Sequence, residues 1–122
     1  MKPLNSLVPM AFVKSVPRSI EFYERLGFDV GNTFVPPEQT EPSWAWLESG
    51  GAQLMVALAS EPVVPSQQAV LFYIYCDDVS AYRDELQKIG VGAGKIQYPF
   101  YAPGGEFRVT DPDGYALMVM HT

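Results

Sequence analysis

Gly51-Ala52-Gln53-Leu54-Met55-Val56 and Gly114-Tyr115-Ala116-Leu117-Met118-Val119 share a glycine followed, at equal spacing, by Leu-Met-Val, and they lie 63 residues apart. The same offset links Val16 to Val79, Leu26-Gly27 to Ile89-Gly90 and Pro36 to Pro99. A constant offset over half of the chain reads as a duplicated unit of about 60 residues. Two copies of a small sheet unit tend to enclose a shared concave surface, and concave surfaces are where ligands bind.

The 122 residues make one domain's worth of chain, read here as a first module of residues 5–60 and a second of residues 68–122. With 48% apolar and 13% aromatic residues the chain has enough material for a core, which excludes a disordered protein. The formal net charge of -6 repels phosphates, so nucleic acid is excluded as a partner. It would attract cations, although mild acidity also serves solubility alone. The single cysteine, Cys76, allows no internal disulfide and fits a reducing compartment. No apolar run reaches membrane-spanning length, and Met1 to Asn5 does not open a secretory leader, so the expected location is cytoplasmic.

Each half predicts strand, helix, strand, strand, strand. Leu7 to Val13 is the first strand. Ser15 caps a helix that carries Pro17 in its first turn, Val16, Ile20, Tyr23 and Leu26 at helical spacing, and Gly27 at its end. Phe28 to Phe34 is a strand, and Trp44 to Leu47 and Gln53 to Leu58 form a hairpin around Ser49-Gly50-Gly51. In the second half Val70 to Cys76 is a strand, and Asp77 or Asp78 caps a helix with Val79, Tyr82, Leu86 and Ile89 on its buried side. Lys95 to Pro99 is a short strand. Glu106 to Thr110 and Tyr115 to His121 pair around Asp111-Pro112-Asp113-Gly114, a type I turn sequence.

Strand alternation then separates two faces. Pro9, Ala11 and Val13 are small and suit a covering helix. Val8, Met10 and Phe12 form the other face, matched by Leu71, Tyr73 and Tyr75 at the repeat offset, with Met55, Ala57, Met118 and Met120 beside them. This second set is assigned to the concave side. Any one of these residues alone is better explained as core. Both faces of these strands are apolar, however, and only one has a helix to cover it.

With these elements in place, Val16-Pro-Arg-Ser-Ile-Glu-Phe-Tyr-Glu-Arg-Leu-Gly-Phe28 and Gly105-Glu-Phe-Arg-Val-Thr-Asp-Pro-Asp-Gly-Tyr115 resemble the helix-one signature and closing hairpin of the vicinal oxygen chelate superfamily. That superfamily includes glyoxalase I, extradiol dioxygenases and bleomycin resistance proteins. The resemblance implies an α+β fold of two tandem βαβββ modules forming a curved mixed sheet, often closed as a homodimer. It also implies a divalent metal held by one ligand from each of four strands. Those positions fall at Val8, Met55, Leu71 and Met118, none of which offers imidazole, carboxylate or thiolate. Metal-dependent chemistry is therefore rejected, and no cofactor is expected.

Among metal-free relatives the chain most resembles the bleomycin resistance group, small acidic dimers that sequester a cationic glycopeptide. The resemblance implies reversible binding of a small aromatic or cationic molecule, with bleomycin the most testable ligand. Val8, Met10, Met55, Tyr73 and Met118 are expected to line the pocket, with Tyr75 and Phe107, and Trp44 and Trp46 are the stacking candidates. Glu38, Glu41, Glu48 and Glu61 are available to attract a cationic tail. Two other readings stay open. A cofactorless isomerase or lyase would use Glu106 as base and Tyr73 or Tyr75 as acid, provided that Glu106 and Arg108 face the concave side. A dimeric interaction or sensor module would do no chemistry at all. No residue is assigned as catalytic: Cys76 has no histidine to activate it, and no Ser/His/Asp set or phosphate-cradling loop is present.

Overall fold

The computed structural model describes Met1–Thr122, and the chain forms two units, Met1–Val63 and Val64–Thr122. The first unit contains β1 (Met10–Val13), α1 (Val16–Leu26), β2 (Asp29–Phe34), β3 (Trp44–Ser49) and β4 (Ala52–Leu58). Its strands lie in the order β1-β4-β3-β2, with β1 parallel to β4 and the other pairs antiparallel. The second unit contains β5 (Leu71–Cys76), α2 (Val79–Lys88), β6 (Glu106–Thr110) and β7 (Ala116–His121), preceded by a 3-10 turn at Pro65–Gln67. Its order is β5-β7-β6, with β5 parallel to β7. The α+β class holds, with one mixed sheet in each unit.

Local chemistry sets the helix limits. The Ser15 hydroxyl accepts from the Arg18 N–H at 3.3 Å, and Gly27 closes α1 at φ 107°, a left-handed conformation that costs glycine little. Asp78, rather than Asp77, caps α2 by accepting from the Ala81 N–H at 3.0 Å. The helices cover one face of each sheet. In the first unit α1 lies on β2, β3 and β4, and Val13, Val16, Tyr23, Leu26, Ala45, Leu47, Leu54 and Val56 are buried. The Tyr23 ring meets Phe28 edge-on at 5.7 Å, so Phe28 belongs to this core and not to a strand. In the second unit α2 lies on β6 and β7, and Val79, Leu86, Phe107, Val109, Leu117 and Val119 are buried. Each buried valine, leucine or phenylalanine among them contributes about 1.5–3 kcal/mol by leaving water.

Two expected strands are corrected. The first begins at Met10, not Leu7. Pro9 has no N–H for the ladder, and only its carbonyl takes part, accepting from the Met55 N–H at 2.9 Å. Lys95 to Pro99 forms no strand; isolated bridges join Ala93 to Val109 and Gln97 to Glu106. Three residues lie between the bridged positions on one side and two on the other, so a continuous ladder is broken by a bulge.

The hairpin turns decide which residues share a face. In the first unit the paired Ser49 and Ala52 enclose the two residues Gly50-Gly51. In the second, the Asp111 N–H donates to the Tyr115 carbonyl at 3.0 Å and encloses three, Pro112-Asp113-Gly114. The Asp111 side chain accepts from the Asp113 and Tyr115 N–H groups, each at 2.9 Å, and Gly114 supplies the positive φ of 87° that such a loop requires. The connection into β6 is one residue shorter than that into β3, measured between the pairs Phe34–Trp44 and Gln97–Glu106. The two changes cancel. The repeat offset is 63 on either side of β6 and 62 along it, so Trp44, Ala45 and Trp46 correspond to Glu106, Phe107 and Arg108.

Candidate binding faces

In the first unit the face opposite α1 is built in rows across the strands. Met10, Met55, Trp46 and Asn32 stand side by side, and Phe12, Ala57, Trp44 and Phe34 form the next row. Phe12 and Phe34 are more than half exposed, and Met55, Trp44 and Trp46 are half-buried. Neighbouring strands lie about 4.8 Å apart, so Met10, Met55 and Trp46 span roughly 10 Å, the length of a fused or linked aromatic system. Gly31 helps to place Trp46. A Cβ there would lie 3.0 Å from Trp46 Cδ1, so the absence of a side chain lets the indole lie against the β2 backbone.

In the second unit the face opposite α2 carries the rows Tyr73–Met118–Arg108 and Tyr75–Met120–Glu106. The Tyr73 and Tyr75 rings are stacked, with centroids 6.2 Å apart and planes 27° apart. Glu106 is only 5% exposed. Its Oε2 accepts a hydrogen bond from the Tyr101 hydroxyl at 3.1 Å. That bond, with the nearby carboxylate charge, pushes the Tyr101 phenol up to about 12. Burial likewise raises Tyr82 to about 12 and lifts the Cys76 thiol.

Seven of the nine expected ligand contacts therefore lie on open strand faces: Met10, Trp44, Trp46 and Met55 in the first unit, and Tyr73, Tyr75 and Met118 in the second. Val8 does not stand on a strand; it precedes β1, half-buried. Phe107 is a correction. It is 1% exposed, pairs with Val119, and its ring centroid lies 6.3 Å from that of Tyr82 on α2. The one-residue change in offset along β6 turns Phe107 to the core and Glu106 to the open face, since neighbouring strand residues point to opposite sides. Glu106 and Arg108 thus share a face with Tyr73 and Tyr75, whereas Glu38, Glu41, Glu48 and Glu61 are solvent-exposed.

The chemistry at the four family metal positions does not fit a divalent ion. Met55 has Met10 and Trp46 as its cross-strand neighbours, and Met118 has Tyr73 and the cationic Arg108. No group of three or more His, Cys, Asp or Glu side chains comes together as a metal cage. No helix is long and apolar enough to cross a membrane. A separate cleft of about 460 Å³ lies where Lys14, Ser15, Pro36, Gln39, Glu41 and Leu58 meet, and of the residues singled out for a ligand it includes only Glu41.

The family model of the Glyoxalase/Bleomycin resistance protein/Dioxygenase superfamily matches residues 5–119, and the chain belongs to that superfamily. Solved structures share its fold. A bleomycin resistance determinant encoded on transposon Tn5 superposes with a TM-score of 0.78 at 18% identity, covering 98% of both chains. The bleomycin-binding protein of the producer Streptomyces verticillus, in complex with copper(II)-bleomycin, gives 0.75 at 17% identity, covering 100% of this chain and 99% of that one. An antibiotic-binding protein from a Streptomyces species gives 0.74 at 20% identity, covering 99% and 98%. No curated protein is detectably similar in sequence.

Proposed function

We propose that this protein reversibly binds a small aromatic or cationic molecule, without a metal, and that a bleomycin-type antibiotic is a fitting ligand. The observation that carries this reading is the open face of the first unit, where two tryptophans, two methionines and two phenylalanines stand in register instead of forming a core. A flat ring system gains of order 1 kcal/mol from each well-placed aromatic contact there. Proteins described as binding bleomycin share the fold, which supports the choice of ligand. The pairing of Glu106 with Tyr101 weighs against the isomerase reading. The Tyr101 hydroxyl donates a hydrogen bond to the carboxylate that this reading takes as its base, so one of its two oxygens is already engaged. The proposal includes a cytoplasmic homodimer; sedimentation at micromolar concentration tests the assembly.

The deciding experiment is calorimetric titration of the chelator-treated protein with metal-free bleomycin. Saturable binding near one drug per site, at micromolar affinity or tighter, is the expected result. No saturable heat at several temperatures overturns the drug-binding reading.

A further inference from the structure

On the open face of the second unit, one polar group is left without a partner. The Glu106 Oε1 atom is buried and receives no hydrogen bond, while Oε2 holds the Tyr101 hydroxyl. Arg108, two residues on and on the same face, forms no salt bridge with it. A carboxylate oxygen kept from water without a donor is costly, and the cost falls when an N–H group arrives. The exposed glutamates differ, since solvent and salt screen their charge. The Tyr101 hydroxyl holds the other oxygen of the same carboxylate, and the stacked Tyr73–Tyr75 pair stands on the same sheet face two strands away, across Met118 and Met120. One charged acceptor and two flat aromatic surfaces therefore share one sheet face.

We propose that Glu106 is the anchor for a cationic N–H group, a protonated amine, amidinium or guanidinium, carried by an aromatic ligand whose ring lies against Tyr73 and Tyr75. Tyr101 positions the carboxylate by holding Oε2, which leaves Oε1 for the ligand. The inference rests on the small-molecule reading above and adds the charge and location that the ligand must match. A charge-assisted N–H···O bond to a buried carboxylate discriminates strongly against a neutral isostere, because the carboxylate is then left uncompensated.

The test is an NMR titration with benzamidinium against benzamide, which has nearly the same shape and N–H groups but no charge. The Glu106 side-chain carboxyl carbon and the Tyr73, Tyr75 and Tyr101 rings are the reporters. Benzamidinium is expected to shift all of them saturably and to bind at least tenfold tighter than benzamide. Glu106→Gln, which keeps the shape, is expected to abolish that preference, and Tyr101→Phe to retain it. Should Glu106→Gln fail to fold, the wild-type carboxyl signal and Tyr101→Phe still decide the matter. Equal affinity for the two probes, a preference that survives Glu106→Gln, or an unmoved carboxyl signal overturns the anchor. Bleomycin binding with no dependence on Glu106 would sink the anchor alone. Benzamidinium binding at Glu106 without bleomycin binding supports the anchor and removes the drug.

Discussion

Replacement of Phe107 by alanine separates a core residue from a ligand contact. The side chain is 1% exposed, lies opposite Val119 and packs toward Tyr82, so truncation leaves a cavity that the sheet and α2 cannot both close. Phenylalanine-to-alanine changes in cores cost about 3–5 kcal/mol. Domains of this size are stable by about 5–15 kcal/mol, so the loss is a large part of the whole. With a urea slope of roughly 2 kcal/mol/M, the unfolding midpoint should fall by about 2 M at unchanged slope. Tyr75→Ala is the control. Its ring is 60% exposed on the opposite face, and its removal should cost about 1 kcal/mol or less. The assay is urea denaturation followed by fluorescence and circular dichroism, and it needs no ligand. If Phe107→Ala loses less than about 1 kcal/mol, or no more than Tyr75→Ala, the register drawn for β6 is wrong and Phe107 returns to the ligand face.

Trp46→Ala should weaken bleomycin binding at least tenfold while costing stability only about 1–2 kcal/mol, because the indole is half-buried on an open face; comparable losses of binding and stability would make Trp46 a core residue. Tyrosinate absorbance should show Tyr101 and Tyr82 ionising near pH 12, and Glu106→Gln should bring Tyr101 back toward 10 while leaving Tyr82 in place. A phenol raised on folding stabilises the protein fully below pH 10 and loses that contribution as pH rises toward 12. Wild type should therefore lose more stability than Glu106→Gln across that interval, and parallel losses would refute the bond. Gly114→Ala should destabilise by about 1–3 kcal/mol, since φ is 87° and the new Cβ would collide with the Pro65 ring. Gly50→Ala, at φ 55° with open space around it, should cost less, and equal melting temperatures for the two variants would count against the crowded turn.

Most of the fold was legible because its signals are local. Ser15, Pro17 and Gly27 mark both ends of α1 within one helical turn each, and the small Ala11 and Val13 against the larger Met10 and Phe12 show which side the helix covers. The missing Lys95 to Pro99 strand was not legible, since it depends on spacing between two bridges and not on the composition of the segment. Leu7 to Val13 ran too long because hydropathy registers Val8 and overlooks the N–H that Pro9 lacks. At the candidate site, alternation alone put Met10 and Phe12 on one face of the first strand and Trp44 and Trp46 on one face of the third. The face of Phe107 was not legible. The repeat offset of 63 holds before and after β6, so two compensating length changes are invisible in the matched residues.

The sequence by itself determined the duplicated α+β plan, both limits of α1, the superfamily resemblance and the apolar residues at the four metal positions, because periodicity, caps and donor chemistry belong to individual residues and their near neighbours. Only the tertiary structure decided that Glu106, and not Phe107, faces the side with Tyr73 and Tyr75, and that one Glu106 oxygen is buried without a donor. Register is a property of two strands and the turn between them, and one added residue in that turn reverses every side chain that precedes it.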